Sequence, residues 1–128
     1  MWKPPFLQLV APQYVADSVA AIYTSPFAAG FANGQTWVGT VWFYNTTAVD
    51  RTVRLHLVPA GGSAMQSNAL LFDHIIPANT NTIPCPYFLQ TADGELPLFV
   101  VAAGESLHVE CDAADSVTVT IGGAEIQG

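Results

Sequence analysis

The amino-acid sequence predicts an all-β fold, an antiparallel β-sandwich of jelly-roll type with about eight strands and an extended N-terminal arm. Short runs of β-branched and aromatic residues recur along the chain, and several alternate between apolar and polar side chains. Clusters of Gly, Pro, Asn and Asp separate these runs, as the turns of a sandwich require. No segment has the periodicity of a helix longer than one or two turns.

The strongest strand signals lie in residues 35–59. Residues 36–44 are almost all β-branched or aromatic, whereas residues 52–58 alternate, with apolar side chains on one face. Between them, the polar residues 45–50 have the composition of a hairpin loop. We therefore expect a core hairpin of one antiparallel sheet, in which the first strand is central and the second is half-exposed.

Two interpretations exist for the tryptophans of the first strand, Trp37 and Trp42. On an exposed sheet face they could stack on sugars, whereas in the interior they would pack between two sheets. Because both lie within the most apolar strand of the chain, we expect core packing. An alanine at either position should then cost about 3–5 kcal/mol of stability.

The remaining strands are expected on either side of this stretch, at 15–24, 67–76, 82–89, 96–101, 106–111, 116–121 and 124–127. The front of the 67–76 segment is also compatible with a short helical turn. Two prolines restrict the 82–89 segment to an edge strand or an extended crossing, because proline cannot donate to a sheet ladder.

With 128 residues the chain forms one domain, which we divide into an extended arm at 1–15 and a sandwich at 16–128. Residues 1–13 contain three prolines and several large apolar side chains, so we expect no regular element of the sandwich there. The arm residues predicted to bind a partner are Trp2, Lys3, Phe6, Leu7, Leu9 and Val10. The alternative is that the arm folds back over the edge of its own sheet.

The composition favours assembly. Hydrophobic residues make up 51% of the chain and charged residues 10%, against about 25% charged residues in ordinary soluble domains. Too few charges remain to cover the surface of a monomer, so we expect a homo-oligomer, with a trimer favoured, or a part of a larger assembly.

The net charge of −7, with three basic residues, argues against nucleic-acid binding and against docking on anionic membranes. No apolar run reaches the roughly 18–20 residues of a membrane span. The N-terminal residues lack the apolar region of a secretory signal, so none is expected.

No catalytic or metal-binding pattern is evident in the sequence. The histidines, His56, His74 and His108, are far apart, and His56 and His108 occupy outward positions where solvated side chains are expected. Asp73 beside His74 has no serine in a nucleophile-elbow setting. We therefore expect no enzyme activity, no cofactor and no metal.

The cysteines, Cys85 and Cys111, form no CxxC pair. Cys111 shares one face of its strand with Leu107 and Val109, so it should be buried. Two free thiols are favoured, with a disulfide as the alternative.

The turns and strand edges occur in a characteristic order: 22–26 (IYTSP), 44–47 (YNTT), 57–62 (LVPAGG), 68–71 (NALL), 77–80 (PANT), 103–107 (AGESL) and 117–123 (VTVTIGG). This order resembles small β-sandwich virion proteins of tailed bacteriophages, of the head-decoration or accessory structural type, over residues 20–126. The motifs are turns, and no catalytic residues are carried over.

The resemblance implies a non-enzymatic capsid decoration or stabilisation protein that binds the head surface as an oligomer. Its partner would be the major capsid protein or another virion protein, and its location the virion, assembled in the host cytoplasm. The alternatives are a tail or fibre module and a carbohydrate-binding β-sandwich, which would place exposed aromatic side chains on one sheet face.

Overall fold

A computed structural model describes residues 7–27, 34–78, 86–90 and 98–127. The strands in these ranges are β1 (Leu7–Tyr14), β2 (Ala20–Thr24), β3 (Gly34–Asn45), β4 (Arg51–Val58), β5 (Ala69–Ile76), β6 (Pro86–Gln90), β7 (Phe99–Ala102), β8 (Ser106–Cys111) and β9 (Val117–Gln127). One turn of 3-10 helix, Gln66–Asn68, precedes β5, at the place where the sequence was compatible with a helical turn.

These strands form two antiparallel sheets. Sheet A has the order β1-β9-β3-β6, with β7 also paired to β3, and sheet B has the order β2-β8-β4-β5. Without β7, the eight remaining strands divide into two four-stranded sheets, and the chain passes between the sheets in the order of a jelly roll. The predicted fold class, an antiparallel β-sandwich of jelly-roll type, is confirmed.

The core lies between the sheets and is built mainly from valine, leucine and isoleucine. Sheet A contributes the buried side chains of Val10, Val38, Val41, Phe43, Val101, Val119 and Ile121. Sheet B contributes those of Val53, Leu55, Ile76, Leu107, Val109 and Cys111. Each fully buried side chain of this size stabilises the fold by roughly 1.5–3 kcal/mol, so this layer holds the two sheets together. The predicted inward positions of β8, including a buried Cys111, are confirmed, and Cys111 is a free thiol.

The expected core hairpin between β3 and β4 is wrong. β3 belongs to sheet A and β4 to sheet B, so residues 46–50 carry the chain from one sheet to the other. The buried Asn45 Nδ2 donates to the carbonyl oxygens of Val49 at 2.8 Å and Ile76 at 3.0 Å, and the Asn45 Oδ1 accepts from the Thr47 backbone N–H at 2.8 Å. A sheet-crossing arch needs the same polar residues as a hairpin, so composition did not distinguish them.

The register of β3 explains a second error. Its pairing with β9 shifts between Val38 and Thr40, which places Val38 on the inner face together with Phe43. Trp42 points away from the core and is 42% exposed, and Trp37 is partly exposed. The expectation that Trp42 packs in the core is wrong, because Trp42 alternates with the buried Val41 and Phe43 and therefore faces outwards. Trp37 is not fully buried either, because the bulge places Val38 on the inner face instead.

Part of the predicted arm is also part of the sandwich. Residues 7–14 form β1, which pairs with β9, so the expectation that this segment forms no regular element is wrong. Val10 is buried opposite Ile121. Pro12 is tolerated because β1 is the terminal strand in the order of its sheet and needs no partner on one side.

Two strand boundaries differ from expectation. The strand expected from residue 15 begins only at Ala20. The two expected strands at the C-terminus join into one strand, β9, across Gly122 and Gly123. A Cβ atom at Gly123 would collide with the carbonyl oxygen of Trp37, so glycine permits the close approach of β3 and β9 at this point.

Candidate functional site

The residues predicted to bind a partner fall into two groups. Three of them lie outside the described residues: Trp2, Lys3 and Phe6. Of the others, Val10 is buried, Leu9 packs against the core, and only Leu7 is exposed. Two of the three described residues therefore contribute to their own sandwich, and partner binding by this set stays a prediction.

The histidines lie on three strands of sheet B, and the fold brings two of them together. His56 on β4 and His108 on β8 are direct cross-strand partners, whereas His74 on β5 is paired with Val53. Among the described residues, no group of three His, Cys, Asp or Glu side chains is arranged to hold a metal ion.

The expectation of a solvated His56 is wrong, because the segment after β4 folds over it. The His56 Nδ1 lies 3.0 Å from the Met65 carbonyl oxygen and 3.0 Å from the Asn68 Oδ1. The Asn68 Nδ2 donates to the Ser63 carbonyl, so both groups facing His56 are acceptors and the Nδ1 carries the hydrogen. The Phe72 ring meets the imidazole edge-on, with ring centres 6.5 Å apart.

His108 is partly exposed, and its Nε2 lies 3.0 Å from the Ser106 hydroxyl. Burial, and secondarily the neighbouring His56, lower the pKa of His108 below its ordinary value. The side chain is therefore neutral at pH 7 and resists protonation in mild acid.

A charged cluster occupies the outer face of sheet B beside this pair. The Arg54 Nε donates to the Asp73 Oδ1 at 2.6 Å, and the Arg54 Nη1 lies 3.6 Å from Glu110. The guanidinium also lies 4.2 Å from the centre of the Phe72 ring. Asp73 adopts a left-handed φ of 53°, which interrupts the regular alternation of β5. Because the arginine engages both carboxylates, they are not a free acid–base pair.

An apolar strip runs along β5, at the end of the order of sheet B. We call Leu70, Phe72 and Ile75 the β5 strip; all three are exposed although they are large and apolar. An edge strand that carries such side chains is suited to contact another chain.

The outer face of sheet A has a different character. One part of it, which we call the aromatic face, consists of Tyr14, Trp42, Tyr44, Thr118 and Thr120 on β1, β3 and β9. In the strand register Trp42 is opposite Thr120, and Tyr44 and Tyr14 flank Thr118 from either side. Tyr14 is 50% exposed, and Tyr44 and both threonines are partly exposed. Aromatic rings and hydroxyl groups therefore share one flat surface.

The described strands of sheet A contain one charged residue, Glu125, and it does not belong to the aromatic face. Glu125 is paired with the buried Thr36 and accepts a 2.6 Å hydrogen bond from the Tyr23 hydroxyl of sheet B. The same hydroxyl lies 2.7 Å from the Thr36 Oγ1. Because the Tyr23 hydroxyl donates its hydrogen bond to Glu125, it accepts one from the Thr36 hydroxyl. Burial, and then the bond to Glu125, raise the pKa of Tyr23 well above its usual range.

The aromatic face was not predicted as a surface, although one signal for it was present in the sequence. Gly39 within an otherwise β-branched and aromatic strand is typical of a bulge. With a bulge there, Trp42 and Tyr44 fall on the face opposite to Val38 and Phe43, as observed.

Comparison with known proteins finds no family model and no curated protein that matches this chain. Among solved structures, the chain is similar to a chain in the structure of the infectious bursal disease virus Gx strain. The TM-score is 0.40 and the identity 13%, over 98% of this chain and 32% of the other. It is also similar to the infectious bursal disease virus VP2 subviral particle, with a TM-score of 0.40 and 12% identity over 98% of this chain and 33% of the other. The chain thus spans about a third of the length of those solved chains. Within its described residues, no helix has the length and apolar character needed to cross a membrane.

Proposed function

We propose that this chain is a non-enzymatic structural protein of a virus particle, and that its jelly-roll domain associates with further copies of itself. The observation that carries this proposal is the β5 strip, a set of large apolar side chains exposed on an edge strand. Because only 10% of the residues are charged, the surface has few charges that could oppose contact between this strand and a neighbouring chain.

The energetics favour burial of the β5 strip. Full burial of one side chain of this type is worth roughly 1.5–3 kcal/mol, so three of them per subunit could offset much of the cost of association. Among the described strands, β5 pairs with β4 alone, so a strand from a partner could add backbone hydrogen bonds on its other side.

More specifically, the proposed role is that of a tailed-bacteriophage capsid decoration protein. A trimer on a locally threefold site of the head would bury the β5 strips between subunits, and the N-terminal residues, including Trp2 and Phe6, would contact the major capsid protein. The low charge and the acidic balance suit a particle surface that must not bind nucleic acid. A tail or fibre module would use the same surfaces on a different partner.

The absence of an enzymatic role is supported by how the described carboxylates are used. Asp73 and Glu110 contact Arg54, Glu125 accepts from Tyr23, and Asp112 faces Arg51 at 3.9 Å. Each of these acids therefore has a structural neighbour of opposite charge or a hydrogen-bond donor, which favours a structural role.

Sedimentation equilibrium at micromolar concentration tests the assembly. The wild-type chain should give a multiple of 13.6 kDa, and the double variant Leu70→Lys/Ile75→Lys should give a monomer. Val49→Lys is the matched control, because Val49 is 57% exposed and Ile75 56% exposed, but Val49 lies in the loop after β3. A monomeric wild type, or a double variant that still associates, would count against the β5 strip.

Mass spectrometry of gradient-purified particles tests the location. Particles of the virus that encodes the chain should contain it in a fixed ratio to the shell protein. Particles made without it should rebind the purified chain, and Trp2→Ala/Phe6→Ala should weaken that rebinding at an unchanged melting temperature. A chain found only in the soluble fraction would contradict the virion role.

A further inference from the structure

We propose that the aromatic face of sheet A binds a neutral oligosaccharide, as an activity separate from assembly through the β5 strip. The surface consists of Tyr14, Trp42, Tyr44, Thr118 and Thr120, on the three consecutive strands β1, β9 and β3. The inference does not depend on a virion location, and it holds for a monomer as well as for an oligomer.

The position of the aromatic residues is the first argument. Trp42 lies on β3, which is paired on both sides, so its exposure of 42% is not the result of an edge position. Leaving a large indole in water on an interior strand forgoes the stabilisation that its burial would contribute. Such an exposed ring on a rigid sheet is a pre-organised apolar contact, because only two side-chain torsions must be ordered when a ligand binds.

The spacing of the rings is the second argument. Tyr14 and Tyr44 are both aligned with Thr118, one on each neighbouring strand. Since adjacent strands lie about 4.8 Å apart, the two tyrosines are separated by about 9–10 Å across the sheet. Trp42 lies two residues from Tyr44 on the same face, about 7 Å along the strand. The three rings therefore mark out an area that suits a short, flat, extended molecule.

The polar groups are the third argument. Thr118 lies between the two tyrosines and Thr120 beside Trp42, and each threonine hydroxyl offers one donor and two acceptor sites. The Thr118 hydroxyl contacts the Tyr44 carbonyl oxygen at 3.5 Å, a long bond that leaves its oxygen able to accept. Sugars present apolar C–H faces bordered by hydroxyl groups, so rings and hydroxyls on one plane match both parts of a saccharide.

Charge identifies the class of saccharide. Among the described residues, the strands of sheet A carry a single charge, Glu125, which is turned towards Tyr23 and Thr36. The aromatic face therefore offers no cation to pair with a sulfate, phosphate or carboxylate. The net charge of −7 also repels anionic ligands at long range, so neutral sugars are favoured.

A second copy of the chain fits this surface less well. Protein interfaces are enriched in Met and Arg besides aromatic residues, and the aromatic face contains neither of them. Two exposed aliphatic side chains, Leu70 and Ile75, lie together on β5 in the other sheet, whereas the aromatic face contains none. The test therefore treats self-association through Trp42 as a distinct outcome.

The experiment is calorimetric titration of the full chain with neutral hexasaccharides of glucose (α1-4 and β1-4), N-acetylglucosamine, mannose and galactose. A sialylated oligosaccharide and a heparin hexasaccharide serve as charged comparisons. We expect saturable binding of at least one neutral hexasaccharide, at least tenfold stronger than binding of either charged ligand. No saturable binding to any neutral hexasaccharide, or a preference for a charged one, would overturn the proposal.

Variants locate the site. Trp42→Ala, and independently Tyr14→Ala, should weaken binding at least tenfold while the chain stays folded at the temperature of the titration. Val19→Ala is the control, since Val19 is exposed to a similar extent, 46%, and lies between β1 and β2, outside both the aromatic face and the β5 strip, and it should bind as the wild type does. Undiminished binding by both aromatic-face variants would refute the site. Dissociation of the oligomer by Trp42→Ala would show that the face is a contact between copies.

Discussion

The two outer faces of this sandwich are built from very different side chains. The strands of sheet A carry one charged residue, Glu125, whereas those of sheet B carry Arg51, Arg54, Asp73 and Glu110. Sheet B also contains every histidine of the chain. Both sheets nevertheless contribute the same kind of branched aliphatic side chains to the core. The inner positions thus make the fold, and the outward positions make the two surfaces distinct.

On sheet B the polar groups bind mainly to one another. Arg54 contacts Asp73, Glu110 and Phe72, and His56 is covered by the turn at Gln66–Asn68. Ion pairs that are this exposed contribute about 0–1 kcal/mol, so they organise the surface more than they stabilise it. The aromatic face of sheet A has no such network of charges. The contrast suggests that sheet A is the side available to a neutral ligand and the β5 strip the side available to another chain.

The largest expected effect separates the two sides of β3. Phe43→Ala should lower the free energy of unfolding by about 3–5 kcal/mol, because the ring is fully buried between the sheets. Trp42→Ala, one residue away, should lower it by clearly less, because Trp42 is 42% exposed whereas Phe43 is fully buried. Urea unfolding of both variants measures this. Equal losses would mean that the aromatic face is part of the structural core.

A smaller effect is expected at the crossing between the sheets. Asn45→Ala would leave the carbonyl oxygens of Val49 and Ile76 without their donor, at a cost of about 2–3 kcal/mol. Thr47→Ala removes a hydroxyl that donates to the Asn45 Oδ1 in a more exposed position, and it should cost about 1 kcal/mol or less. Thermal unfolding of the two variants compares them, and a milder effect for Asn45→Ala would refute its role in the arch.

Two tyrosines compare a hydroxyl that bridges the two sheets with one on the outer face of sheet A. Tyr23→Phe removes the hydroxyl that joins Glu125 and Thr36 across the sheets, and it should cost about 1–2 kcal/mol. Tyr14→Phe removes a hydroxyl from the aromatic face and should change stability by less than about 0.5 kcal/mol. Chemical denaturation gives both values. A larger loss for Tyr14→Phe would reverse the assignment of the two positions.

The smallest effect concerns pH and sheet B. Burial and His56 lower the pKa of His108, so the unfolded chain binds the proton more readily than the folded one. The stabilisation is present above about pH 6.5, the ordinary histidine pKa, and decreases as the pH falls through this range. His56, Arg54 and Glu110 lie on the same surface. They are unchanged in a variant of His108, so their effect on stability is present in both proteins.

The measurement is the melting temperature of the wild type and of His108→Gln between about pH 7.5 and pH 5, a range that spans the ordinary histidine pKa. The variant should lose less on acidification than the wild type does. If the melting temperatures of both proteins fall equally with pH, protonation of His108 does not contribute to the pH dependence of stability.

Much of the fold followed from local pattern. The alternation of Leu107, Val109 and Cys111, and that of Val117, Val119 and Ile121, predicted inward side chains that are all buried. These assignments succeeded because each strand faces the core on one side and keeps a strict two-residue period.

The candidate surfaces were harder to predict. Alternation along β3 places Trp42 opposite to the buried Val41 and Phe43, and the local pattern did not show that this second face of an apolar strand stays exposed. The β5 strip was read only as part of an apolar strand, because the sequence does not tell which strand ends a sheet. His56 occupies an outward position, as predicted, but Met65 and Asn68 in the segment after β4 cover it.

The sequence by itself determined the all-β class, the inward side chains of the regular strands and the scarcity of charge, because each of these depends on composition or on short-range periodicity. Only the tertiary structure decided that β3 and β4 lie in different sheets, that residues 7–14 join the sandwich, and that the charged residues of the described strands, apart from Glu125, belong to sheet B. The reason is physical: a strand carries the same local signal whichever neighbour it pairs with. Its partner is chosen by contacts between residues far apart in the chain, such as Val41 with Ile121 and Leu55 with Val109.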